Sequence, residues 1–106
     1  MFHSSLIDVE SGAWLDGVAS IGAGGDSFHE YLLKAYWLFG DTRAAAMFNR
    51  THAAVEKHLR TAAGWYFEAD MSSGRTVRRH ADSLGAFWPG IPVFSFGFSI
   101  DYYCLF

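Results

Sequence analysis

The sequence predicts a mainly all-α chain with short β-hairpins, and three observations carry that prediction. Apolar residues recur at three- and four-residue intervals from Phe28 to Phe39. A looser helical period runs from Ala45 to Leu59. Two stretches of alternating or β-prone residues are each split by turn-forming residues. With 106 residues, 51% of them hydrophobic, there is material for one small core.

The elements follow in order. Leu6-Ile-Asp-Val-Glu10 alternates apolar with acidic residues, and Ser11-Gly12 offers a turn before Ala13-Trp14-Leu15, so residues 6–15 read as a hairpin. Four glycines between Gly17 and Gly25 read as a loop that brings backbone close to something else. Phe28, Tyr31, Leu32, Ala35, Tyr36 and Phe39 then mark a helix, with Asp26 or Ser27 as its cap and Gly40 at its left-handed end. Asp41-Thr42 caps a second helix, with Ala45, Phe48, Ala53, Val55 and Leu59 on its apolar side to about Ala62. So short a connection implies antiparallel packing. Residues 65–70 and 76–79 flank Met71-Ser-Ser-Gly74 as a second hairpin. Asp82 or Ser83 caps a third helical segment through Leu84, Phe87 and Trp88, which Pro89-Gly90 cuts short. This set of elements leaves an apolar side open, as expected of a segment of a larger domain.

Eight basic and eleven acidic residues, without a long basic run, exclude a nucleic-acid interface as the reading. The apolar stretch 91–106 is interrupted by Pro92 and Asp101 and falls short of the roughly 20 residues of a membrane span. The first ten residues lack the basic and apolar regions of a signal peptide. The single Cys104 excludes an internal disulfide. His29, His52, His58 and His80 read as rim or solvated side chains, their spacing being poor for a metal. Asn49-Arg50-Thr51 is a glycosylation sequon.

The informative chemistry is in Gly22-Ala-Gly-Gly-Asp-Ser-Phe-His-Glu-Tyr-Leu-Leu-Lys34. Asp26 and Glu30 are one helical turn apart behind a glycine-rich approach. Their spacing fits either dipole partners at a helix start or a carboxylate pair facing an aqueous cavity. Ser27 lacks the strand-turn context of a nucleophile. Phe87-Trp88-Pro89-Gly90 reads either as an aromatic wall for a sugar or as a core corner where proline stops a helix.

Taken together, Ser20-Ile-Gly-Ala-Gly-Gly-Asp-Ser-Phe-His-Glu-Tyr-Leu-Leu-Lys-Ala35, Ala45-Ala-Met-Phe-Asn49 and Ser83-Leu-Gly-Ala-Phe-Trp-Pro-Gly90 resemble glycoside hydrolase family 47, the α-1,2-mannosidases that trim high-mannose N-glycans. Within that family, Ile-Gly-Ala-Gly before the aspartate and Ser83 in the later block resemble the ER degradation-enhancing branch. Processing enzymes carry a histidine where this chain has Ser83. The resemblance makes residues 1–93 part of a family 47 catalytic domain and residues 94–106 a divergent apolar tail.

That resemblance implies a segment of an (α/α)7 barrel with a calcium-dependent, inverting active site. Asp26 matches the family's catalytic carboxylate, and Glu30 the acid that holds the solvent and calcium environment, reaching the metal through water rather than directly. Ser83, Phe87 and Trp88 fall in the substrate-binding block. The general acid, an Arg-Pro-Glu block and a calcium-binding threonine of the family have no counterpart here, so this chain alone is expected to be inactive and to bind calcium weakly. The implied partners are high-mannose N-glycans, with the ER lumen or secretory pathway as the location. A lectin-like module that holds mannose without cleaving it is the alternative, and an inactive helical segment is a third.

Overall fold

The computed structural model describes residues 6–91. Two helices and a small sheet surround one core. Strand β1 (Val18–Ala19) precedes helix α1 (Asp26–Phe39) and helix α2 (Thr42–His58), and strands β2 (Glu68–Asp70) and β3 (Thr76–Arg78) lead to a 3₁₀ turn at Leu84–Phe87. The expected mainly helical chain is therefore present, accompanied by an antiparallel three-stranded sheet in the order β1-β2-β3. The tail 94–106, with Asp101 and Cys104, lies outside the described residues.

Helix α1 ends as its sequence demands. Gly40 takes φ +67°, and its amide donates to the Tyr36 carbonyl at 2.8 Å. Asp41 then starts α2, its Oδ1 accepting the Arg43 and Ala44 amides at 2.9 and 3.2 Å. The start of α1 differs from expectation. Gly25 is the N-cap and no side chain caps the helix, so neither Asp26 nor Ser27 has that role. Helix α2 stops at His58 rather than near Ala62, because the chain turns there to form an isolated bridge between Arg60 and Tyr66.

The first hairpin shrinks to one bridge, Ile7 to Trp14, closed by the Asp8 amide donating to the Ala13 carbonyl at 2.8 Å. Part of the expected glycine loop is a strand. Val18 pairs with Asp70 and Ala19 with Ala69, in a register that only the tertiary fold supplies. The second hairpin is present, with an irregularity between Glu68 and Ala69 and an Arg78–Glu68 ion pair at 3.4 Å across it. Its turn is held by Asp70, whose Oδ1 accepts the hydroxyls and amides of Ser72 and Ser73 at 2.6 to 3.1 Å. These bonds, the Ser72 hydroxyl foremost, hold its carboxyl at about 2.

The core collects Ala19 and Ala69 from the sheet, Leu33 from α1, Phe48, Val55 and Leu59 from α2 and its end, and Trp88 and Ile91 from the last turn. Outside it, Tyr31, Leu38 and Phe39 of α1 remain exposed, Phe39 by 82%. No helix among the described residues is long and apolar enough to cross a membrane.

Two predictions follow from this packing. Phe48 is 1% exposed, so Phe48→Ala should lower stability by about 3–5 kcal/mol, read as a lower denaturant midpoint at unchanged slope. Asp70 has its pKa depressed from 3.8 to about 2, so its contribution is full above pH 3.8 and is lost as pH falls toward 2. Acid titrations of the parent and Asp70→Asn should converge in that window; parallel curves would remove Asp70 from the account.

Candidate active site

Asp26 and Glu30 both lie on α1, at its first residue and one turn later. Both are half-buried. Asp26 occupies the first turn, where free backbone amides and the helix dipole favour a carboxylate. Glu30 forms an ion pair with Lys34 at 2.6 Å, and the Lys34 ammonium also sits 5.0 Å from the centre of the Tyr31 ring. The Glu30 carboxylate raises the Lys34 pKa, chiefly through their hydrogen bond.

Glu30 and Phe87 come together in a crevice of about 340 Å³ between α1 and the last turn, shared with Leu33, Lys34 and Trp37. Asp26 is not among the residues lining that crevice. Ser83 is exposed at the start of the 3₁₀ turn and makes no side-chain capping bond; its carbonyl accepts the Ala86 amide at 3.3 Å.

Trp88 is placed differently from a sugar wall. It has no exposed surface. His29 meets its ring edge-on at 4.7 Å and His52 stacks on it at 5.4 Å, with Tyr66 at 6.1 Å. Of the two readings of the Phe87-Trp88-Pro89-Gly90 block, the core corner describes Trp88. The crevice position describes Phe87.

The histidines require a correction. His29 is fully buried and His52 is 6% exposed, whereas polarity alone had put both at the surface. Spacing would have found them: His29 precedes buried Leu33 by four residues, and His52 sits between buried Phe48 and Val55. Burial pushes the His52 pKa below 6.5, against a weaker opposing effect of Glu56.

Glu56 was not singled out by its sequence, yet it organises the polar side of this cluster. Its Oε1 accepts the Tyr66 hydroxyl at 2.6 Å and the Trp88 indole N–H at 3.5 Å, while Oε2 pairs with Arg60 at 3.2 Å. Burial, then the hydrogen bond to Glu56, push the Tyr66 hydroxyl up to about 12.

A calcium ion takes six to eight oxygen ligands. Among the described residues no three carboxylate, histidine or cysteine side chains gather at one point.

The comparison with known proteins now has a geometry to rest on. The model of glycosyl hydrolase family 47 matches residues 2–98. This chain belongs to glycosyl hydrolase family 47. It is 48% identical over 89 residues to alpha-mannosidase I MNS5 of Arabidopsis thaliana, covering 84% of this chain and 15% of that protein. Over 85 residues it is 39% identical to the human ER degradation-enhancing alpha-mannosidase-like protein 2, covering 80% of this chain and 14% of the relative. Mannosyl-oligosaccharide alpha-1,2-mannosidase IA of Spodoptera frugiperda is 37% identical over 93 residues, which are 84% of this chain and 14% of that enzyme. The chain thus spans about a seventh of the length of these relatives.

The buried His52 generates a prediction. With its folded pKa below 6.5, the unfolded chain binds the extra proton first, so stability is greatest above that value and falls as pH drops. The His52 ring resonances should titrate with a midpoint below 6.5, and the denaturant midpoint should be lower at about pH 5 than at about pH 7.5. A midpoint at or above 6.5 would overturn the assignment.

Proposed function

We propose that this chain forms one wall of the active site of an inverting α-1,2-mannosidase acting on high-mannose N-glycans in ER glycoprotein quality control. The observation that carries the reading is the pair Asp26 and Glu30 on one helix, half-buried behind the glycine loop, in a chain matched by family 47 over residues 2–98. The relatives named for ER degradation enhancement, together with Ser83 in the later motif, favour that branch. The same relatives support a location in the ER lumen or secretory pathway for this reading.

In an inverting hydrolysis a carboxylate base removes a proton from water as its oxygen bonds to the anomeric carbon. A separate carboxylic acid protonates the departing glycosidic oxygen, and the two groups stand roughly 6.5–9.5 Å apart. Asp26 is the base or water-orienting carboxylate in this reading, and Glu30 holds the solvent around it. Residues outside this chain provide the acid. Calcium belongs to the complete site, which this chain approaches only at Glu30, through water. Ser83 and Phe87 lie toward the substrate, and buried Trp88 supports them from the core.

The exposed apolar side chains Tyr31, Leu38 and Phe39 support the larger architecture, an (α/α)7 barrel whose further helices cover that side of α1. Residues 1–93 are the part assigned to the catalytic domain, with 94–106 as a divergent tail. A lectin-like role, in which mannose is held without cleavage, is the second reading, favoured by Ser83 where processing enzymes carry histidine.

The test is mannose release from a high-mannose glycan, with calcium, by a full-length family 47 protein carrying this sequence. Asp26→Asn should reduce the turnover number by about 10²- to 10⁴-fold while leaving glycan retention in place. Undiminished release would remove Asp26 from catalysis. Retention without release in the parent would favour the lectin reading.

A further inference from the structure

We propose that Asp82 is the positioning residue of this site, a carboxylate clamp that fixes the glycine loop carrying Asp26 against the turn carrying Ser83. The proposal rests on the mannosidase reading for its consequence but on geometry for the clamp itself.

Asp82 spans two segments that are 59 residues apart in sequence. Its Oδ2 accepts the Ala23 amide at 3.1 Å. Its Oδ1 accepts the amides of Leu84 and Gly85, the latter at 3.1 Å. One carboxylate thus terminates three backbone donors, two at the start of the 3₁₀ turn and one in the loop before α1. These bonds, that of Ala23 foremost, lower the Asp82 pKa below 3.8.

The loop is shaped to admit this carboxylate. A Cβ on Gly22 would overlap the Asp82 carboxylate oxygen and carbon, so any larger residue there would have to displace the carboxylate from its place. The Gly25 amide donates to the Gly22 carbonyl at 3.1 Å, which closes the loop one residue before Asp26. On the other side Ser83 is the next residue after Asp82. Ile21 lies under Gly85, 3.6 Å from the position of a Cβ there, so the two segments also touch by packing.

The consequence is that the loop leading into α1 and the start of the Ser83–Gly90 block are joined by hydrogen bonds through one side chain, beside the packing of Ile21 on Gly85. No capping side chain holds the α1 start, since Gly25 is its N-cap. Hydrogen bonding by Asp82 instead holds the loop at Ala23, three residues before Asp26, from across the fold. Displacement of a catalytic group by about 1 Å can cost about a hundredfold in rate.

Three single variants and one double variant test this in the full-length protein. Asp82→Ala should lower the turnover number by about tenfold to a hundredfold with a small change in KM, and Asp82→Asn, which keeps an acceptor, should recover part of it. Gly22→Ala should be impaired by its clash with the carboxylate. The double variant Gly22→Ala/Asp82→Ala should be less impaired than the sum of the two, because removing the carboxylate removes the clash. Additive losses in the cycle would overturn the clamp. A fall in melting temperature with an unchanged turnover number would reduce Asp82 to a structural role and overturn the positioning claim.

The clamp has a readout that needs no activity. The Ala23 amide resonance should shift with the titration of Asp82, with a midpoint below 3.8, and lose that step in Asp82→Asn. Absence of the step overturns the clamp. If the step and the cycle in melting temperature are present while the parent releases no mannose, the clamp stands and the mannosidase reading, with the positioning claim on it, fails.

Discussion

The buried indole of Trp88 is the constraint around which the rest of the structure is arranged. An indole removes some 150–250 Å² from water on burial, but its N–H has then to find an acceptor. Here His29 approaches from α1, His52 from α2 and Tyr66 from the segment before β2, so the ring is in contact with both helices and with the approach to the sheet. The N–H points to Glu56. That carboxylate could not be left alone in such a place, and Tyr66 and Arg60 share its two oxygens. Around one aromatic ring thus gather five polar side chains, His29, His52, Tyr66, Glu56 and, through Glu56, Arg60.

A division of labour results. The charges at the core's edge, Glu56 and Arg60 with Tyr66, satisfy each other within a few ångströms, while Asp26 and Ser83 on the candidate site have no side-chain bond of that kind to another of the described residues. Glu30 is intermediate, paired with Lys34 yet facing a crevice lined by Phe87. An exposed ion pair of this type contributes little stability and exchanges readily with solvent or ligand. The side chains with closed partnerships hold the fold, and those with open ones remain available for chemistry.

The helices were legible in the sequence because their signals are local. Apolar spacing, the left-handed Gly40 and the Asp41 cap each act within a turn, and each is where the sequence put it. The sheet was less so, since Val18–Ala19 becomes a strand only when Asp70 and Ala69 arrive from some fifty positions away. Histidine misled for a different reason. A neutral imidazole is polar in composition yet flat and apolar enough to stack, so helical position was the better guide for His29 and His52 than polarity. The motifs single out Asp26, Glu30, Ser83 and Phe87 as candidates, but the pairing of Glu30 with Phe87 in one crevice is a tertiary fact. The tie from Asp82 to Ala23 was equally hidden, because a long-range acceptor leaves no periodic trace. Asp82 was read only as a helix cap, which is half of what its carboxylate does.

The two-residue connection at Gly40 and Asp41 has a kinetic meaning. A helical pair joined so closely assembles from sequence neighbours, at little cost in loop closure, whereas the contact between Ala23 and Asp82 waits on a segment 59 residues further along. During synthesis from the N-terminus, α1 and α2 can therefore dock before Asp82 reaches the loop that leads into Asp26. The helix bearing the acids is an early product of folding, and the arrangement of the site around it a late one.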